Sequence, residues 1–164
     1  MPFRDLLTKL INGWALFGGA LLLLIVAATA INALGFTANT IARSWGGTVS
    51  GLPGYEDAVT MLIGVAGLAM FPYAQLHHAH AAVDVFMQKA PAAMNQGISI
   101  LSALLVAGVA FYMAVMLVYG TLETRSDNVE TTVLGWPVWI FMPTAVLSCV
   151  LWALAALLTV FDPE

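Results

Sequence analysis

His77, His78, His80 and Asp84 crowd into one short segment, and imidazoles with a carboxylate are the donor set from which zinc sites are built. On a helix, His77, His80 and Asp84 would share a face at i, i+3 and i+7. The same residues have a simpler use. Histidines at the end of a helix complement its negative pole, and His80 pairs with Asp84 one turn on. This structural use is the expected one, because structural zinc calls for a fourth ligand and catalytic zinc for an ordered second shell. A haem would need axial histidines on separate helices, and all three histidines lie together. No metal or cofactor is expected in this chain.

A second polar pair, Glu56-Asp57, could form an ion site, since a carboxylate near a membrane span is a functional candidate. Both residues precede a long uncharged run, so they are placed at the positive end of a helix dipole beside water, where ionised carboxylates are stabilised without a further task. Cys149 is the single cysteine. It excludes an intrachain disulfide, and its expected use is packing. No catalytic constellation is present, and an enzyme is not expected.

The elements that must position these groups follow from charge. Positions 10–42, 58–76, 90–122 and 131–161 hold no charged residue, and a helix crosses a hydrocarbon core of about 30 Å in roughly 20 apolar residues. Hydrophobic residues are 61% of the 164, charged residues 9%, and mean hydropathy is +0.92, which leaves too little polar surface for a water-soluble domain. Leu21 to Ala28 and Leu101 to Phe111 are apolar on every side, which excludes the alternation of a membrane barrel. The expected fold is all-α: a single four-helix membrane domain over 1–164, with spans near 12–36, 56–76, 94–122 and 136–160. Five scattered basic residues and a net charge of −4 offer nucleic acid no footprint. Membrane lipid is the expected surroundings.

Arg4 and Lys9 ahead of an apolar run, with Ala28-Thr29-Ala30 behind it, imitate a signal peptide. Apolar character continues through Ile31 to Phe36, so an uncleaved anchor is expected. In the first span, Gly13, Gly18, Gly19 and Ala20 offer a smooth face to a neighbouring helix. Thr37 to Gly54, with Gly46, Gly47, Gly51, Pro53 and Gly54, reads as a loop. Pro72 falls in the last turns of span 2, and Pro137 and Pro143 fall in the first turns of span 4. Arg4, Lys9 and Lys89 oppose Arg43 and Arg125, a three-to-two basic bias that puts both termini and the second loop in the cytoplasm.

Three local patterns add a resemblance. Tyr55-Glu56-Asp57 opens span 2, His80-Ala81-Ala82-Val83-Asp84 follows it, and Gly135-Trp136-Pro137 leads into span 4 with Pro143 beyond. In order and placement these resemble the small membrane subunit, the DctQ type, of tripartite ATP-independent periplasmic (TRAP) transporters. Asp57 stands where that family favours a second glutamate, and His77 or His78 replaces a customary arginine. The resemblance implies a bacterial inner-membrane complex. In it a large multi-span permease subunit imports solute with a sodium gradient, a periplasmic substrate-binding protein delivers the solute, and the small subunit is a fixed scaffold. Sodium coupling would then lie in the large partner. Glu56, Asp57, His80, Asp84, Pro137 and Pro143 are the candidate structural and interface residues. Two rival classes stay open from sequence: the membrane anchor of a haem- or quinone-linked oxidoreductase, and a self-contained small exporter or channel.

Overall fold

The computed structural model describes residues 2–77 and 92–160. His78, His80 and Asp84 lie outside the described residues, as do the others from 78 to 91. The elements are α1 (Pro2–Arg43), α2 (Tyr55–Leu76), α3 (Ala92–Ser126), a single 3-10 turn (Val138–Ile140) and α4 (Met142–Val160). All four α-helices carry stretches long and apolar enough to cross a membrane, the fourth counted together with the 3-10 turn before it.

Two helices outrun the bilayer. At about 1.5 Å per residue, the 42 residues of α1 reach roughly 63 Å, twice the hydrocarbon thickness. Here the expected loop from Thr37 is corrected: α1 continues to Arg43. Thr37 and Thr40 donate their hydroxyls to the carbonyls of Ala33 and Phe36, each at 3.1 Å, so these side chains bond within the helix instead of breaking it. The stop comes at Gly46, in the left-handed region at φ 79°. The Gly46 N–H donates to Arg43 and the Gly47 N–H to Ala42, the paired bonds of a Schellman ending. α3 ends the same way with Asn128 (φ 50°) in the glycine position, Asn128 donating to Arg125 and Val129 to Thr124. Asparagine tolerates this conformation better than most side chains.

In space the helices run α1, α2, α4, α3: α2 packs between α1 and α4, and α4 between α2 and α3. The contacts are made by small residues. α3 buries Ala103, Ala107, Ala110 and Ala114, alternately four and three apart, which is one stripe of a helix. α4 buries Ala145, Ser148, Cys149, Ala155 and Ala156. Between α1 and α2 the closest approach is at Gly18, where a Cβ would lie 2.8 Å from Ala69 Cβ and 3.1 Å from the Ala66 carbonyl oxygen. Of the expected smooth face, Gly18 comes tightest against α2 and a Cβ on Gly19 would lie 3.6 Å from Met70 Cε, whereas a Cβ on Gly13 would meet nothing within 4 Å. In lipid, where apolar burial gives little drive, such close backbone approach is the main source of helix association.

Where α1 begins it also reaches α4. Leu7 and Ile11 pack with Leu151 and Ala155, and Trp14 Nε1 donates to Ser148 Oγ at 2.8 Å. Further along, Gln75 Nε2 donates to Thr159 Oγ1 at 3.3 Å, tying α2 to α4. α2 runs on through the buried Pro72 to Leu76. Large apolar side chains stay exposed along α1 and α3, Leu16, Leu23, Leu34, Leu105 and Phe111 among them. These outer faces belong against lipid or other protein.

Candidate functional site

The polar residues singled out at the start of α2 meet the connection between α3 and α4. That connection is folded, not slack. Thr131 N–H donates to the Trp136 carbonyl at 2.9 Å, Gly135 N–H to Thr131 at 3.1 Å and Val138 N–H to Val129 at 3.0 Å, and Glu130 bridges to Pro137 in antiparallel fashion. The Thr131 hydroxyl accepts the Trp136 N–H at 2.9 Å. The result is a tight hairpin standing between two helix ends.

Asp57 holds this hairpin. One carboxylate oxygen, Oδ2, accepts the Val133 N–H at 2.7 Å and the Leu134 N–H at 2.9 Å, and hydrogen bonds to an ionised acceptor are the stronger kind. The first turn of α2 thus seats the loop that leads into α4. Leu134 presses on Gly54, where any Cβ would collide with it, and Gly54 is the residue that caps α2 with φ 73°. Glycine is required twice over at this position, for its backbone angle and for Leu134. Asp57 and Glu56, adjacent in sequence, part ways here. Glu56 is exposed and its carboxylate faces outward without a hydrogen bond among the described residues.

The two prolines also differ in use. Pro137 is extended (φ −65°, ψ 119°) ahead of the 3-10 turn, so it stands outside α4, which starts six residues after the expected 136 because the Glu130–Pro137 bridge holds that stretch in the hairpin. Pro143 is the second residue of α4, where its missing N–H costs no helix bond. Arg125 lies over the Trp139 ring at 5.0 Å, and Trp136 stacks on Phe141 with centroids 5.9 Å apart. This aromatic cluster braces the hairpin from the α3 side.

Sequence reasoning missed a third part of the same end. The connection between α1 and α2 folds back along α1, with the Leu52 N–H donating to Asn32 Oδ1 and the Val49 N–H to Asn39 Oδ1, both at 3.1 Å. Tyr55 donates its hydroxyl to Thr29 Oγ1 at 2.9 Å, and Gly35 lets Gly51 come close. Thr29, Asn32, Gly35 and Asn39 form one polar face of α1. Their spacing was the available signal. With Glu123, Asp127 and Glu130 exposed around it, this end of the molecule is a fixed, acidic platform.

Asp57→Ala is expected to free the hairpin: the Val133 and Leu134 amides should exchange with deuterated solvent faster, with α1–α2 packing unchanged. Asp57→Asn keeps a side-chain acceptor and should be milder. Gly54→Ala, which sets a methyl against Leu134 in a left-handed position worth about 1–2 kcal/mol against any L-residue, should loosen the same amides. Because both changes unseat one loop, their effects should not add. Unchanged exchange at 133–134 in Asp57→Ala would refute the clamp.

Residues 33–163 match the family model described as "Tripartite ATP-independent periplasmic transporters, DctQ component". No curated protein and no solved structure matches the chain. The matched region takes in the last quarter of α1, all of α2, α3 and α4, and the platform except Thr29 and Asn32.

Proposed function

The chain belongs to the DctQ component family of tripartite ATP-independent periplasmic transporters, and from that premise we propose that it is the fixed scaffold beside the large, sodium-coupled permease subunit that imports solute handed over by a periplasmic binding protein. Membership makes it a multi-pass transporter component from a family that is not an enzyme family. The scaffold role is our reading, and cross-bracing at both ends of the helices carries it. Gln75–Thr159 ties α2 to α4 at one end, and Trp14–Ser148 ties α1 to α4 partway along it. Asp57 and the asparagines of α1 lock both connections at the other. A body pinned in this way resists shear, as a support for a moving neighbour must.

The interior is consistent with that role. Its buried polar side chains among the described residues are Gln75, Ser148 and Thr159, all neutral. Ion and proton pathways through membranes are built on ionisable side chains facing the interior or a cavity, and substrate sites on paired, interrupted helices at mid-depth. The movement of solute is assigned to the partner. The small subunit contributes its apolar flanks and its platform.

Isolation from native membranes tests the partnership. A tagged copy of this chain, extracted in mild detergent, should bring a larger multi-span protein with it in fixed proportion. A chain that leaves the membrane alone, at native expression and in several detergents, would count against the scaffold.

Orientation is the second part of the proposal, with the bacterial inner membrane as the site. The three-to-two basic bias places both termini in the cytoplasm and hence the platform in the periplasm, on the side from which a binding protein would arrive. A reporter active only in the periplasm, fused after Glu164, should stay silent, and the same reporter inserted between Trp45 and Val49 should be active. The reverse pattern would turn the molecule over.

A further inference from the structure

The apolar stretches of the four helices do not end level with one another. Contacts between neighbours fix which residues share a height along the bundle: Gly18 with Ala69 and Thr29 with Tyr55, Phe71 with Trp152 and Gln75 with Thr159, and Met142 with Gly120 and Thr124. Against that ruler the two outermost helices, α1 and α3, are displaced in opposite directions. We propose that the bundle meets the bilayer obliquely, its helix axes leaning roughly 30–35° from the membrane normal in the plane of the row, so that hydrocarbon reaches farther along α1 toward the platform and farther along α3 toward the opposite end.

The slant can be read at both boundaries. At the platform end α1 stays apolar to Phe36 before Thr37 and Asn39, whereas α3 stays apolar to Leu122 before Glu123. Through the contacts above, Leu122 stands level with Val26, so the boundary on α1 lies about 15 Å farther out. At the other end the displacement repeats. The apolar stretch of α1 gives way at Asn12 and Lys9, and that of α3 at Gln96 and Asn95; Leu101 stands level with Leu6, so here α3 extends about 15 Å farther. Between them α2 changes at Asp57 and His77, heights intermediate at both ends. Two boundaries slanting the same way by the same amount are what a flat slab leaves when it cuts a bundle obliquely.

Length supports the same angle. A rise of about 15 Å across three helix spacings of about 9 Å is a slope near 30°. Separately, the stretches 13–36 and 98–122 each measure about 36 Å, and a helix of that length fits a core of about 30 Å by leaning near 34°. An upright bundle would instead put Ile31, Leu34 and Phe36 of α1 and Ile98 of α3, all exposed, into water. The inference needs only that these helices cross the membrane and is independent of the scaffold role.

The test places the full chain, with the subunits that accompany it, in vesicles of phosphatidylethanolamine and phosphatidylglycerol. Single nitroxides are attached in a Cys149→Ala background at four exposed positions, as Leu6→Cys, Val26→Cys, Leu101→Cys and Leu122→Cys. Relaxation by oxygen and by a water-soluble nickel chelate then gives each depth. Val26 should lie about 13 Å deeper than Leu122, and Leu101 deeper than Leu6 by a similar amount, although each pair shares one height along the bundle. Equal depths within the pairs would overturn the inclination. Helix tilts from nitrogen-15 solid-state spectra of the labelled chain in aligned bilayers give a second measure that no neighbouring subunit can mask. A common lean of roughly 30–35° is expected, and one at or below the ordinary mean of about 20° would overturn the proposal.

Discussion

Vesicles holding the large permease subunit, the binding protein and a sodium gradient are expected to lose most or all uptake when this chain is left out, and this chain alone is expected to give none. The first half follows from the scaffold reading: a transport domain that slides must slide against something, and a body braced by Trp14–Ser148, Gln75–Thr159 and the Asp57 clamp offers a fixed reference. The second half follows from its neutral interior, where Gln75, Ser148 and Thr159 are occupied with one another's helices. Uptake should return on adding the chain back. Sodium-driven uptake by this chain alone would sink the scaffold reading, and full activity of the large subunit without it would show that no scaffold is needed.

Legibility from sequence divided along physical lines. The four membrane helices were legible because hydrocarbon permits one solution for a long uncharged run, a helix that closes its own hydrogen bonds. Their ends were less so. Thr37 to Arg43 looks like loop by composition, and its continuation in α1 depends on threonines bonding back to Ala33 and Phe36 and on asparagines paired to a loop that comes later in the chain. Composition does not encode such pairings. Asp57 was legible as a helix-start carboxylate, but its bond to Val133 and Leu134 joins residues far apart in sequence. The family pattern marked Asp57, Pro137 and Pro143 as a set without giving their geometry. Asp57 and Pro137 proved to act on one hairpin; Pro143 starts the next helix.

Gly18 was visible only as one of several small residues in α1, and distance separates it from the others. Gly18→Ala is expected to destabilise the protein, whereas Gly13→Ala is expected to stabilise it. Alanine is the better helix former by about 0.5–1 kcal/mol, and at Gly13, where a Cβ meets nothing within 4 Å, that preference acts unopposed. At Gly18 the new methyl would stand 2.8 Å from Ala69 Cβ and 3.1 Å from a backbone oxygen, neither of which can rotate away, so the helices must part. Overpacking of this kind costs about 1–3 kcal/mol, more than the propensity returns. Gly18→Leu should go further and separate α1 from α2, taking the contact of Ile11 with α4 with it. Thermal unfolding in detergent gives the order: Gly13→Ala above wild type, then wild type, Gly18→Ala and Gly18→Leu. Adding Ala69→Gly to Gly18→Ala should recover part of the loss by removing the methyl it strikes, a rescue that a purely propensity-based effect could not produce. If Gly18→Ala instead melted with or above Gly13→Ala, the close approach of α1 and α2 would be wrong.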